Sequence, residues 1–220
     1  MLPQLLPITL DFDVLISAWN ELLLPFGGNP MQIQQTFTEI VNAYSHPTRH
    51  YHNLSHIQSV LATIQELQPF TQNFPAVQLA AWFHDVVYDS KAKNNEEKSA
   101  AYAHRVLIQL AVPLEIIESV KHLIISTKTH VVSFNDKDGQ VLIDADLSIL
   151  GAAPADYRIY AKAIRKEYAW VTDIDYHLGR KRVLENFLRR PRIYFTELAF
   201  ASLEKQARTN IQQELSGEWD

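Results

Sequence analysis

The sequence predicts an all-α domain, and three observations carry that prediction. Apolar residues recur at spacings of three and four, with almost no strict period-two alternation. Glycine is scarce, with 6 in 220 residues. Prolines fall repeatedly just after a capping or turn residue, where a missing N–H costs a helix nothing. A chain of 220 residues, 47% hydrophobic and 20% charged, is long enough and apolar enough to bury a sizeable core. This composition excludes disordered, collagenous and coiled-coil classes.

The elements follow in order, about nine helices read from ten candidate spans, 11–25, 30–45, 53–67, 75–88, 95–110, 113–126, 139–150, 154–171, 173–189 and a long one near 196–215. Helix starts are marked by Asn29-Pro30, Phe74-Pro75, Val112-Pro113 and Ala153-Pro154. Asn94 with Glu97 three residues on reads as a capping box, and Thr196 before Glu197 as another N-terminus. Leu54, Ile57, Val60, Leu61 and Ile64 form one apolar stripe. Ile116, Val120, Leu123 and Ile124 form a second, and Tyr157, Tyr160, Ala161, Ile164 and Tyr168 a third. Asn135-Asp136-Lys137-Asp138-Gly139 is the clearest turn. No linker divides the chain, so residues 1–220 are expected to form one domain.

Several function classes are excluded. There are 0 cysteines, which removes disulfides, thiolate metal sites and a cysteine nucleophile. Met1–Pro7 is apolar but lacks a positive region and is broken by prolines, unlike a secretory signal. No run of apolar residues is long enough to span a bilayer. A cytoplasmic location is therefore expected, and Asn53-Leu54-Ser55 is read as a chance glycosylation match. Phosphate-cradling glycine loops, a GxSxG elbow and HExxH are absent.

The net charge of −5 is unevenly spread. Residues 1–157 carry 8 basic and 16 acidic groups, whereas residues 158–208 carry 12 basic and 6 acidic. The basic segment contains Arg165 and Arg180, the candidate contacts for a substrate phosphate, because arginine offers a bidentate fork. Glu204 and Arg208, at i and i+4, read as a structural pair.

The chemistry is expected from histidine and aspartate. His84-Asp85 lies in the apolar run Leu79–Tyr88, with Val77, Ala81 and His84 on one helical face. A carboxylate there is costly unless paired or bound to a cation. His52 and His56 fall in His52-Asn53-Leu54-Ser55-His56, at the start of a helix, and Asp144 and Asp146 fall in the apolar stretch Val141–Leu150. Asp144 and Asp146 lie about 200° apart on an ideal helix, so only one can face a shared site. One divalent metal would account for all three stretches. Imidazoles and carboxylates without thiolate suit Mn, Mg, Fe, Co, Ni or Zn.

The order His56 … His84-Asp85 … Asp146 resembles the HD superfamily of metal-dependent phosphohydrolases. So do Tyr51–His56, His84–Tyr88, Asn95–Ala100, Asp144–Gly151 and Ala207–Asn210, which look like one bacterial subfamily of predicted HD phosphohydrolases. The resemblance covers roughly residues 11–215. It implies a helical HD-type domain around a metal site, with a core at about 50–150 and helices 154–215 packed on it. It implies His56, His84, Asp85 and Asp146 as ligands, Asp146 being favoured over Asp144 and His56 over His52 by family context. His122 and His130 lie where relatives place ligands for a second metal.

The activity implied is hydrolysis of a phosphate ester, of a nucleotide or related small molecule, by a metal-activated water. Glu96 is the candidate for positioning or protonating chemistry, alongside a helix-dipole role. His52 is a candidate substrate contact, and Tyr88 and Tyr168 are candidates for stacking on a base. The expected partners are a small phosphorylated substrate and, as an open question, a second copy of the chain, with neither membrane nor nucleic acid. The rival readings are a nucleotide-binding or signalling HD domain without turnover, and a di-iron oxygenase needing His122 or His130.

Overall fold

The structure is a computed structural model that describes residues 10–217; the Met1–Pro7 segment lies outside the described residues. Among the described residues there are ten α-helices and no strand. In chain order these are α1 (Phe12–Leu23), α2 (Pro30–Tyr44), α3 (Leu54–Leu67), α4 (Phe74–Phe83), α5 (Asn95–Gln109), α6 (Leu114–Thr127), α7 (Lys137–Asp146), α8 (Pro154–Glu167), α9 (Asp173–Arg189) and α10 (Glu197–Ser216). No helix of the described residues is long and apolar enough to cross a membrane.

The helix starts are held by side-chain caps. Asp11, Asn29, Asn53, Asn73, Asp136, Thr172 and Thr196 each accept a hydrogen bond from a backbone N–H in the first turn that follows. Proline occupies an opening position in α2, α4 and α8. Asn53, the residue of the chance glycosylation match, is one of these caps.

Four expectations are corrected. The helix expected over 75–88 stops at Phe83, and the one over 139–150 turns into a 3-10 segment, Leu147–Gly151. The helix over 154–171 ends at Glu167. The Asn94–Glu97 capping box does not form: Asn94 makes no side-chain cap bond, and Glu97 is drawn instead into an ion pair with Lys128, just past the end of α6.

Helix α4 is the axis of the core. Ala76, Val77 and Leu79 to Phe83 are all buried on it. It is apolar all round because α1, α3, α6 and α7 cover it from several sides. Trp19 of α1 meets Trp82 edge-on with ring centroids 5.4 Å apart, and donates its indole N–H to the Ile33 carbonyl. The Tyr44 hydroxyl donates to the Trp82 carbonyl.

One apolar cluster runs from Leu15 of α1 to Ile211 of α10. Helix α10 closes over the 3-10 segment that follows α7. The fully buried Asn210 amide donates to the carbonyls of Leu150 and Ala152. The expected Glu204–Arg208 pair forms at 2.7 Å. It is also a clamp: Glu204 accepts from the N–H groups of Ile193 and Tyr194, and Arg208 donates to the carbonyls of Leu188, Arg190 and Pro191.

Gly151 marks the closest approach in this region. A methyl group placed on it would lie 2.7 Å from the Leu203 Cβ and 2.9 Å from the Leu203 carbonyl oxygen. Gly151→Ala is therefore expected to lower stability by about 1–3 kcal/mol in urea unfolding, through overpacking of α10 against this segment. An unchanged unfolding midpoint would contradict that close packing.

Candidate metal centre

Three helix ends bring the chemistry together. Asn53 caps α3 by accepting from the N–H groups of Ser55 and His56, so His56 sits in the first turn with a buried side chain. His84 is the residue that ends α4, and Asp146 is the last residue of α7.

His84 Nδ1 lies 2.9 Å from the Ala81 carbonyl oxygen, so its N–H donates there and Nε2 faces inward. His56 Nε2 is 3.3 Å from His84 Nε2. Asp146 Oδ1 is 3.3 Å from His56 Nε2 and 3.6 Å from His84 Nε2. Donor atoms of these three residues all lie within 4.8 Å of one another. Asp85 Oδ2 joins them, 3.3 Å from His84 Nε2 and 4.0 Å from His56 Nε2.

This donor set could hold a divalent metal ion. Two imidazole nitrogens and carboxylate oxygens converge with no thiolate, which is first-row divalent chemistry. The bond from His84 to a backbone carbonyl is the outer contact that usually fixes the tautomer of a metal-binding histidine.

The electrostatics match the geometry. Burial pushes the Asp85 carboxyl up, but His84 and His52 beside it win and hold it well below the usual range. For Asp146, hydrogen bonds from His130, His56 and His84 likewise overcome burial and pull its pKa down. Burial opposes a charged His84, but Asp85 and Asp146 reverse it and raise that imidazole well above its ordinary value. His56, with burial dominant, is pushed down. The two imidazoles thus differ in basicity although they touch.

Three further residues, which the sequence reading missed, position this group. Arg49 is buried and donates to the carbonyls of His52, Asp85 and Val86. Two of those carbonyls belong to the turn after α4. Their capture by Arg49 accounts for the early end of that helix. On an ideal helix His84 and Asp85 would point about 100° apart; the turn lets Asp85 reach the same centre.

Glu167, at the end of α8, accepts from the N–H groups of Tyr51 and His52, from His52 Nδ1 at 2.6 Å and from the Tyr88 hydroxyl at 2.8 Å. His52 stacks on Tyr88 with centroids 4.4 Å apart, and its Nε2 lies 3.9 Å from Asp85 Oδ2. Arg190 donates to the carbonyls of Thr129 and His130. It supports His130 in a left-handed conformation, φ 49°, that few non-glycine residues adopt. His130 Nε2 then reaches Asp146 Oδ2 at 3.2 Å. Glu167 carried a readable signal: it lies seven residues after Tyr160 and three after Ile164, on the apolar stripe of α8.

Other expected residues go elsewhere. Asp144 points away from the histidines, accepting from Phe195 N, Thr196 N and the Thr196 hydroxyl at 2.7 Å each. Burial pushes its carboxyl up to about 6 against those donors. His122 is exposed and pairs with Asp136, so of the two extra histidines only His130 reaches the centre. Arg165 bonds Asp173 and the carbonyls of Tyr168 and Val171. Arg180 is bound to Glu214 through Nε at 2.8 Å and to the Tyr160 hydroxyl. Glu96 lies in the first turn of α5, partly exposed.

A cavity of about 730 Å³ opens on the centre. Asp146, His52 and His130 form part of its floor. Tyr51, Tyr160, Tyr168, Trp170 and Tyr176 give it aromatic walls, and Lys91, Lys93, Lys128 and Arg180 supply positive charge. Arg165 and Glu96 do not line it. No family model, no curated protein and no solved structure matches the chain.

The Glu167 contacts predict a pH dependence. Burial raises this carboxyl, but the bond from His52 dominates with its other donors and lowers it to about 2 from an ordinary 4.5. A depressed carboxyl adds stability that is present above pH 4.5 and lost as pH falls towards 2. Glu167→Gln is expected to be less stable than the wild type by about 1–3 kcal/mol at pH 6, the difference shrinking by pH 3. Denaturant titrations at the two pH values test this; a difference that does not change with pH would contradict it.

Proposed function

We propose that this chain is a metal-dependent phosphohydrolase of the HD type, cleaving a phosphate ester of a nucleotide or a related small molecule. The observation that supports this most is the convergence of His56, His84 and Asp146, with Asp85 beside them, next to a cavity that Asp146 lines together with His52, His130 and three lysines. In this reading His56, His84, Asp85 and Asp146 hold one divalent ion. Such an ion supplies hydroxide near neutral pH and neutralises phosphoryl oxygens.

The chain's own residues do the rest. Lys91 and Lys93 bring positive charge to the cavity wall, and Lys128 adds to it from its pair with Glu97, where a phosphate can use it. Tyr168 and Trp170, with ring centroids 6.4 Å apart and 30° between planes, offer flat apolar faces to a base.

His52 is placed to give a proton to the leaving oxygen. Its Nδ1–H is taken by Glu167, so its second proton sits on Nε2, facing Asp85 and the cavity. Burial opposes that protonated form, but Asp85 and Glu167 outweigh burial and raise the His52 pKa. Glu96, outside the cavity lining, fits the role of an acid in a first helical turn.

The test is turnover by chelator-stripped protein on a phosphate-ester panel, with Mn, Mg, Co or Ni restored one at a time. Activity should require metal, and Asp85→Ala should lower kcat/KM roughly a hundredfold or more. Metal-independent turnover, or full activity in Asp85→Ala, would overturn the proposal.

A further inference from the structure

Helices α8 and α9, with the end of α10, line a second concavity of about 530 Å³ beside the metal-facing cavity. Arg158, Lys162 and Arg165 line it from α8, and His177, Arg180 and Lys181 line it from α9. The spacing explains the arrangement. Positions 158, 162 and 165 fall at i, i+4 and i+7, and 177, 180 and 181 at i, i+3 and i+4, so each set forms one stripe on its helix.

Among the described residues, the acids in the lining are Asp173 and Glu214, and each is already taken. Asp173 is bonded to Arg165 at 2.6 Å, and Glu214 to Arg180 at 2.8 Å. Arg158, Lys162 and Lys181 are left as surplus positive charge. Lys181 makes only a 3.9 Å contact with Glu185 on its own helix. Three cations gathered in a concave surface repel one another and favour a bound counter-anion.

The shape of the charge selects the anion. The surplus charge on α8 runs from Arg158 to Lys162, about 6 Å along the helix, with Lys181 lining the same groove from α9. Positive centres spread over that length suit an anion whose charge is also spread, rather than a single phosphate. Arg180 and Tyr176 line both concavities and form the partition between them. The other cations of this groove do not line the metal-facing cavity.

We infer that the α8–α9 groove is a second anion site that binds a linear oligophosphate, either free or as the triphosphate of a nucleotide, independently of the metal centre.

Calorimetric titration of the full chain, stripped of metal and dialysed free of chelator, tests this. Tripolyphosphate and ATP are injected separately, with orthophosphate and a single-stranded RNA 12-mer for comparison. Saturable binding of tripolyphosphate at one per chain is expected, with orthophosphate at least about tenfold weaker. ATP binding much tighter than tripolyphosphate would assign the site to a nucleotide, and equal affinity would assign it to the phosphate chain alone; both support the site.

The double variant Lys162→Glu/Lys181→Glu should lose about tenfold or more in affinity, with an unchanged circular-dichroism spectrum and melting temperature. Both positions are exposed, so this variant is expected to fold. Asp146→Asn, at the metal centre, should bind tripolyphosphate as the wild type does. Undiminished binding by the double variant, loss of binding in Asp146→Asn, absence of saturation, or preference for the RNA would each overturn the inference.

Discussion

The structure turns on the edge-on approach of His56 and His84, whose Nε2 atoms lie 3.3 Å apart, with the carboxylates of Asp85 and Asp146 beside them. Charged groups taken out of water are costly unless they are paired, hydrogen-bonded or bound to a cation. Here the compensation is mutual: each carboxylate stabilises a protonated imidazole, and each imidazole holds a carboxylate below its ordinary pKa. A cation that displaces the Nε2 proton of His84 would meet converging nitrogen and carboxylate lone pairs in its place. That these groups come from the ends of α3, α4 and α7 is significant. Helix ends leave backbone groups unpaired, and those groups give the surrounding side chains something to hold.

Those surrounding side chains carry much of the charge. Arg49 and Arg190 spend their guanidinium groups on backbone carbonyls of the segments that carry His84, Asp85 and His130. Glu167 spends its carboxylate on the segment that carries His52. Part of the positive charge of residues 158–208 is used in the same way, because Arg165, Arg180, Arg192 and Arg208 are each tied to an acid. The lysines that line the metal-facing cavity come instead from residues 91–128, within the acidic part of the chain. Much of the arginine charge of this segment therefore serves architecture, while Arg158, Lys162 and Lys181 remain as a surplus in the α8–α9 groove.

The all-α class was legible because spacing, proline placement and glycine scarcity all point one way. The convergence of these histidine and aspartate stretches was legible because polar groups in apolar helices stand out, while the choice of His56 over His52 and of Asp146 over Asp144 came from the resemblance to HD proteins. The rule that Asp144 and Asp146 point in opposite directions also holds, with Asp144 anchoring Phe195 and Thr196. Other features were hidden for physical reasons. Arg49 bonds backbone carbonyls, which leave no mark in the sequence. Glu167 meets a segment 115 residues away, a pairing that only the tertiary fold creates. The end of α4 at Phe83 depends on Arg49, 36 residues away from Asp85, so local propensity continued the helix too far. Arg165 and Arg180 showed their charge in the sequence but not the acids that occupy them.

The central claim is that one divalent ion is held by side chains from three separate helix ends. Crystals of the chain grown with Mn or Zn, with diffraction measured on both sides of the metal absorption edge, address it most directly. The account predicts one anomalous peak at roughly 2.0–2.2 Å from Nε2 of His56, Nε2 of His84 and a carboxylate oxygen of Asp146, and no peak in crystals of Asp146→Ala. A peak elsewhere in the molecule, or none between these residues at saturating metal, would contradict it.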